Sequence, residues 1–131
     1  MIVLDASALV DVGLSRPNRS DLLAHMSEEI SAPGHQLAEV LSAVARLLRT
    51  GQASEQEGMD AVAAALTIIQ RTVALDDGLI QRALSLRESI RVTDGLYVAL
   101  AERLGCPLLT SDGRLARSNP PCDVIFPGSA S

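Results

Sequence analysis

The sequence predicts an α/β fold, a central and mainly parallel sheet flanked by helices, and three observations carry that prediction. Short apolar runs alternate along the chain with longer segments in which Leu, Val and Ile recur at helical spacing. The opening run, Ile2-Val3-Leu4, is continuous rather than alternating, as in a strand buried on both faces of a parallel sheet. Hydrophobic residues make up 47% of the chain but aromatics only 2%, so the core is aliphatic, which suits helices stacked on a buried sheet. A chain of 131 residues fits one domain, here 1–127 with 128–131 as a frayed tail. At that size folding buries roughly two-thirds of the unfolded surface, so neither metal nor disulfide is needed merely to fold.

The elements follow in order. Asp5 ends the first strand, and Ser7 can cap a helix carrying Leu9, Val10 and Leu14, which Ser15-Arg16-Pro17-Asn18 breaks. A short helix over 20–26 precedes a strand over 29–32. After Pro33-Gly34, Leu37, Val40, Leu41, Val44, Leu47 and Leu48 trace an amphipathic helix that stops at Gly51. Ser54 caps another helix, with Met59, Val62, Leu66 and Ile69 on one side. A strand over 71–75 and a helix capped by Asp76 or Asp77 lead to a helix from Thr93-Asp94 that ends at Gly105-Cys106-Pro107. Strands over 107–110 and 124–126 flank a brief helix near Arg114 to Arg117.

The longest nearly apolar stretch, Ala61 to Ile69, is far short of the roughly 20 residues that span a bilayer. With no basic leader before Ile2, the expected location is the cytoplasm, and Cys106 and Cys122 are expected to be reduced thiols. A net charge of −5 argues against a nucleic-acid partner, unless clustered acids account for it and bound cations offset them. All eleven basic residues are Arg. Arg can fork onto phosphate oxygens, although codon usage explains the absence of Lys as well.

Asp5 and Asp112 are expected at carboxyl ends of strands, where open parallel sheets gather ligands. Glu39 and Asp94 enter from the first turns of two helices that could face the same edge. Oxygen ligands without a compensating Lys or His suit a hard cation, Mg²⁺ or Mn²⁺, able to activate water against a phosphodiester. Left without one, like charges this close raise at least one carboxyl pKa. Taken singly, Asp5, Asp94 and Asp112 read as turn formers or caps, and Glu39, off the apolar stripe, as a solvated side chain. Asp11, Asp21, Asp60 and Asp123 read as surface charges, His25 and His35 as exposed or capping, and Tyr97 as core.

Four segments in this order resemble a PIN domain, and within that family the VapC-type toxins of toxin–antitoxin pairs. They are Ile2-Val3-Leu4-Asp5-Ala6-Ser7-Ala8-Leu9-Val10, Ala38-Glu39-Val40-Leu41-Ser42-Ala43, Thr93-Asp94-Gly95-Leu96-Tyr97-Val98-Ala99-Leu100-Ala101-Glu102, and Leu109-Thr110-Ser111-Asp112-Gly113-Arg114-Leu115. The resemblance implies a PIN-like α/β/α sandwich and a Mg²⁺- or Mn²⁺-dependent endoribonuclease. Its metal site would be Asp5, Glu39, Asp94 and Asp112, with Ser7 and Thr110 as hydroxyl partners. It also implies a homodimer and a cognate VapB-type antitoxin. Gly95 stands where Ala is common in the family, a change expected to loosen the helix start.

The segments Leu9–Leu14 and Met59–Ile69 could offer such an antitoxin an apolar groove. Arg46, Arg49, Arg114 and Arg117 are the candidate RNA contacts. Two other readings stay open: an RNA-processing nuclease of this fold without an antitoxin, and a catalytically silent binding or scaffold protein. A receiver domain or an aspartyl phosphatase is excluded by the missing late Lys and by Ser7 at the position two after Asp5, and no P-loop occurs.

Overall fold

The computed structural model describes residues 1–127, so the expected tail lies outside the described residues. Within them run β1 (Ile2–Leu4), α1 (Ala6–Gly13), α2 (Arg19–Ala24), β2 (Ile30–Pro33), α3 (Gln36–Arg49), α4 (Glu55–Thr67), β3 (Arg71–Val73), α5 (Asp77–Ser85), α6 (Val92–Leu104), β4 (Leu108–Leu109), α7 (Gly113–Ala116) and β5 (Val124–Ile125). The strands form one sheet in the order β3-β2-β1-β4-β5, and all four pairings are parallel. The expected α/β fold is what is observed.

β1 lies at the centre, and Ile2, Val3 and Leu4 are fully buried, which is why the strand reads as a continuous apolar run. The edge strand β3 starts instead with exposed Arg71 and Thr72. Helix α6 packs on β1, β2 and β4 and carries α5 on its other side. Every residue from Asp94 to Ala101 is therefore buried, and the helix is apolar nearly all round. Gly51 and Gly105, with φ of +72° and +63°, end α3 and α6 in the left-handed conformation that glycine adopts freely. A β-carbon on Gly95 would stand 3.2 Å from the Ala83 backbone of α5. Gly95 thus lets two helices approach closely, rather than loosening the start of α6.

Two expectations, the Ser7 cap and the Leu9–Leu14 groove, need correcting, while Met59, Leu66 and Ile69 of the Met59–Ile69 segment do face outward. Asp5, not Ser7, caps α1: its side chain accepts a hydrogen bond from the Ala8 N–H, and Ser7 sits within the first turn. Helix α4 is capped by Ser54 through a full capping box with Glu57. It nevertheless turns its small residues Gly58, Ala61 and Ala65 inward, leaving Met59, Leu66 and Ile69 62%, 67% and 93% exposed. Close packing of α4 on α1 and α3 selects small side chains at the contact, so the larger stripe faces out. Leu9, Val10 and Leu14 are core residues, which removes the Leu9–Leu14 segment from any groove open to a partner.

Candidate active site

The chain runs β1, β2, β3 toward one edge of the sheet and returns through β4 and β5 to the other. The order reverses between β1 and β4, the place where open α/β sheets gather ligands. Asp5 follows β1 directly, and its N–H donates to the Leu109 carbonyl of β4 at 3.2 Å. Thr110, Ser111 and Asp112 follow β4, so the two strand ends present their polar residues side by side.

Asp5 is 3% exposed. One carboxylate oxygen accepts from the Ser7 hydroxyl at 2.7 Å and the Ala8 N–H at 3.0 Å. The other accepts a very short hydrogen bond from the Thr110 hydroxyl. Ser7 in turn accepts from the Ser111 N–H at 3.1 Å, and Thr110 from the Asp112 N–H at 3.0 Å. Burial pushes the Asp5 carboxyl up to about 7 despite these three hydrogen bonds, which favour its charged form, and the charge of Asp94 adds to the rise.

Asp94, on the first turn of α6, is 8% exposed. Its carboxyl is also raised, first by burial. The Arg91 and Arg114 guanidiniums pull it down, while Asp112 and Glu39 push it up. Asp112 caps α7, accepting from the Arg114 and Leu115 N–H groups at 2.9 and 3.3 Å. Arg114 then reaches back with one nitrogen 2.9 Å from Asp112 and 3.2 Å from Asp94.

Glu39 enters on the first turn of α3, whose start is anchored by buried Gln36 donating to the Leu4 carbonyl at 3.0 Å. Its carboxylate accepts from the Tyr97 hydroxyl at 2.7 Å, so Tyr97 is a core residue with its polar tip in the site. Burial, and then the hydrogen bond to Glu39 and its charge, hold the Tyr97 phenol above its usual range. His35 leans on the Tyr97 ring with centroids 4.6 Å apart and donates from Nε2 to the Thr93 carbonyl at 2.8 Å, which leaves Nδ1 buried without a partner. His35 is the N-cap residue of α3, as the capping expectation had it, but its side chain makes no cap hydrogen bond and is not exposed: the ring clamps α3 to α6.

One cleft of about 770 Å³ is lined by Asp5, Glu39, Asp94 and Asp112 together with Ser7, His35, Tyr97 and the arginines Arg16, Arg46 and Arg91. Asp11 lines it too, accepting from Asn18 at 3.1 Å, rather than standing alone on the surface. Among the described residues no three His, Cys, Asp or Glu side chains close tightly enough to enclose an ion, and Arg114 bridges two of the acids instead.

Of the expected RNA contacts, Arg46 lines the cleft and Arg114 spans the acids, whereas Arg49 and Arg117 line neither this cleft nor a smaller one beside it. Arg16, Arg91, His35, Gln36 and the Tyr97 hydroxyl were not anticipated. Helical spacing offered two signals: Tyr97 lies three residues after Asp94, and His35 lies four before Glu39.

The PIN domain family model matches residues 2–119, a span holding all four acids. The chain belongs to the PIN-domain family. Among its relatives, ribonuclease VapC12 of Mycobacterium tuberculosis is 42% identical over 120 residues, covering 91% of this chain and 92% of the relative. Ribonuclease VapC3 of the same organism is 40% identical over 126 residues, covering 95% and 91%. Solved structures share the PIN fold at lower identity. M. tuberculosis VapC20, a toxin that cleaves the sarcin–ricin loop, superposes with a TM-score of 0.68 at 17% identity, covering 91% of this chain and 95% of that one. A toxin–antitoxin complex from Klebsiella pneumoniae superposes at 0.67 and 16% identity, covering 96% and 97%.

Proposed function

We infer that this PIN domain is the toxin of a VapBC-type toxin–antitoxin pair, an endoribonuclease that hydrolyses RNA phosphodiester bonds with Mg²⁺ or Mn²⁺ held by Asp5, Glu39, Asp94 and Asp112. The observation that carries the reading is the meeting of these four acids, from four separate segments, in one cleft at the reversal point of the sheet. Kinship with VapC ribonucleases along nearly the whole chain supports it.

The residues fit a hard cation. The donors are carboxylate oxygens, two of the carboxyls are raised, first by burial, and the chain has no Lys to place beside them. When bound, the cation supplies an activated water and neutralises charge developing on the phosphate. The chain's own part is positioning. Ser7 and Thr110 hold both oxygens of Asp5, and Tyr97 holds Glu39, while Arg91 and Arg114 pair with Asp94 where no cation stands. Arg46 stands at the cleft wall, where it can take a phosphate of the RNA strand.

Exposed Leu41 on α3 and Met59, Leu66 and Ile69 on α4 supply apolar surface of the kind a cognate antitoxin or a second copy in a homodimer would cover. Among the described residues no helix is long and apolar enough to cross a membrane, and RNA as the substrate supports a cytoplasmic location.

The test incubates purified protein with transfer and ribosomal RNAs, with and without Mg²⁺ or Mn²⁺, beside an Asp5→Asn, Asp94→Asn double variant prepared identically. Discrete fragments that require both metal and the unaltered acids are expected. Identical behaviour of the two preparations on every RNA would remove the nuclease reading.

A further inference from the structure

Beside the main cleft, and sharing Arg91 and Asp94 with it, lies a second cleft of about 270 Å³ between the α5–α6 turn and α7. Its walls carry Arg87, Arg91 and Arg114 and the hydroxyl residues Ser89 and Ser118, with two acids, Glu88 and Asp94, among them. All three guanidiniums are engaged: Arg87 lies 3.7 Å from Glu88 and donates to the Leu84 carbonyl at 3.1 Å, Arg91 lies 3.4 Å from Asp94, and Arg114 lies 3.2 Å from Asp94 and 2.9 Å from Asp112. The Arg91 and Arg114 side chains are more than half exposed, at 66% and 53%, so neither is locked in place by packing.

The two acids that Arg91 and Arg114 neutralise are among the four assigned above to a divalent cation, and this inference rests on that assignment. A dication and two guanidiniums compete for the same carboxylate oxygens. A cation that takes those oxygens leaves Arg91 and Arg114 without partners at the wall of the second cleft, next to Arg87. We propose that the second cleft is a phosphate subsite for the RNA strand, and that Arg91 and Arg114 are counter-ions of Asp94 and Asp112 which are released into it when the cation binds.

Guanidinium forks and hydroxyls are the donors that recognise phosphate oxygens. The subsite would take a backbone phosphate a short distance along the strand from the scissile one, without regard to the base. Because binding couplings are reciprocal, the strand must also tighten the cation.

The experiment measures two affinities on the full chain: Mn²⁺ by electron paramagnetic resonance, and a fluorescent 2′-O-methyl oligoribonucleotide by anisotropy, with the probe checked on a gel to be intact after each titration. Unaltered protein, an Arg91→Gln, Arg114→Gln double variant and a distant Arg71→Gln control are compared. In unaltered protein and in the control, saturating Mn²⁺ should tighten oligonucleotide binding by about tenfold, a typical coupling. The double variant should bind Mn²⁺ several-fold more tightly, since its acids have lost their competitors, and should lose most of the Mn²⁺-dependent gain for the oligonucleotide.

If the double variant binds Mn²⁺ no more tightly and keeps the full gain, the subsite and its release mechanism are overturned while the metal site stands. If the unaltered protein binds no Mn²⁺ at all, the metal-site assignment fails and this inference fails with it. Circular dichroism of the variants separates either outcome from misfolding.

Discussion

Asp5 and Asp76 hold the same local position. Each is the extended residue before a helix, and each accepts a hydrogen bond from the N–H three residues on. Read locally they are the same object, a helix cap. Their surroundings make them opposites. Asp76 lies at the surface, where the forked Arg103 guanidinium, at 2.7 and 2.8 Å, and the cap hydrogen bond hold its carboxyl well below the usual carboxylate range. Asp5 lies at the reversal point of the sheet, held by two neutral hydroxyls and a backbone N–H with no guanidinium against it, and burial lifts it to about 7. A cap is a backbone service that any short acid can provide. A buried acid short of positive charge, with other acids on the same cleft, calls for a cation.

Substitution should separate the two most sharply. Asp94→Asn, which spares both caps, should lower RNA cleavage on the order of 10²–10³-fold, the usual cost of removing a preorganised electrostatic group. Asp76→Ala should leave cleavage unchanged and lower the melting temperature slightly. Initial rates and thermal melts on the same preparations check both.

The pH dependence of stability should also divide them. Without metal, the folded chain keeps the Asp5 proton to about pH 7, while the unfolded chain releases it near its ordinary value of 3.8. The fold therefore loses stability as pH rises through that window, on the order of a few kcal/mol in total. Asp5→Asn should flatten the slope between about pH 4 and 7 in urea titrations. Asp76 has the opposite sign: its contribution is present above the ordinary carboxylate range and is lost as pH falls through it.

Tyr97→Phe removes the donor to Glu39 and keeps the buried ring. Losing such a partner typically weakens metal affinity or activity about tenfold, with little change in the far-ultraviolet spectrum. The smallest effect should come from Ser54→Ala, far from the cleft, which breaks the α4 capping box at a cost of about 1 kcal/mol without altering cleavage.

The same contrast shows what could be read from sequence. β1 was legible because a strand covered on both faces has one signature, and the acids were legible because strand ends in a parallel sheet share one edge. The facing of α4 was not. Met59, Leu66 and Ile69 form a proper apolar stripe, but periodicity does not tell whether a stripe meets the core or the outside, and here Gly58, Ala61 and Ala65 meet the core. His35 was illegible for another reason: its hydrogen-bond partner, the Thr93 carbonyl, lies 58 residues away and is brought near only by the packing of α3 beside α6. Arg114 was expected to touch RNA, and only the folded chain shows it occupied by Asp94 and Asp112.

The most direct test of the central claim, that burial and not capping makes Asp5 a cation ligand, is a ¹³C NMR titration of aspartate carboxyls, with Asp5 assigned by its Asn variant. Without metal, Asp5 should titrate near 7 and Asp76 below the ordinary range, and Mg²⁺ should move Asp5 downward while leaving Asp76 where it was. An Asp5 midpoint in the ordinary carboxylate range that does not respond to Mg²⁺ would contradict the account.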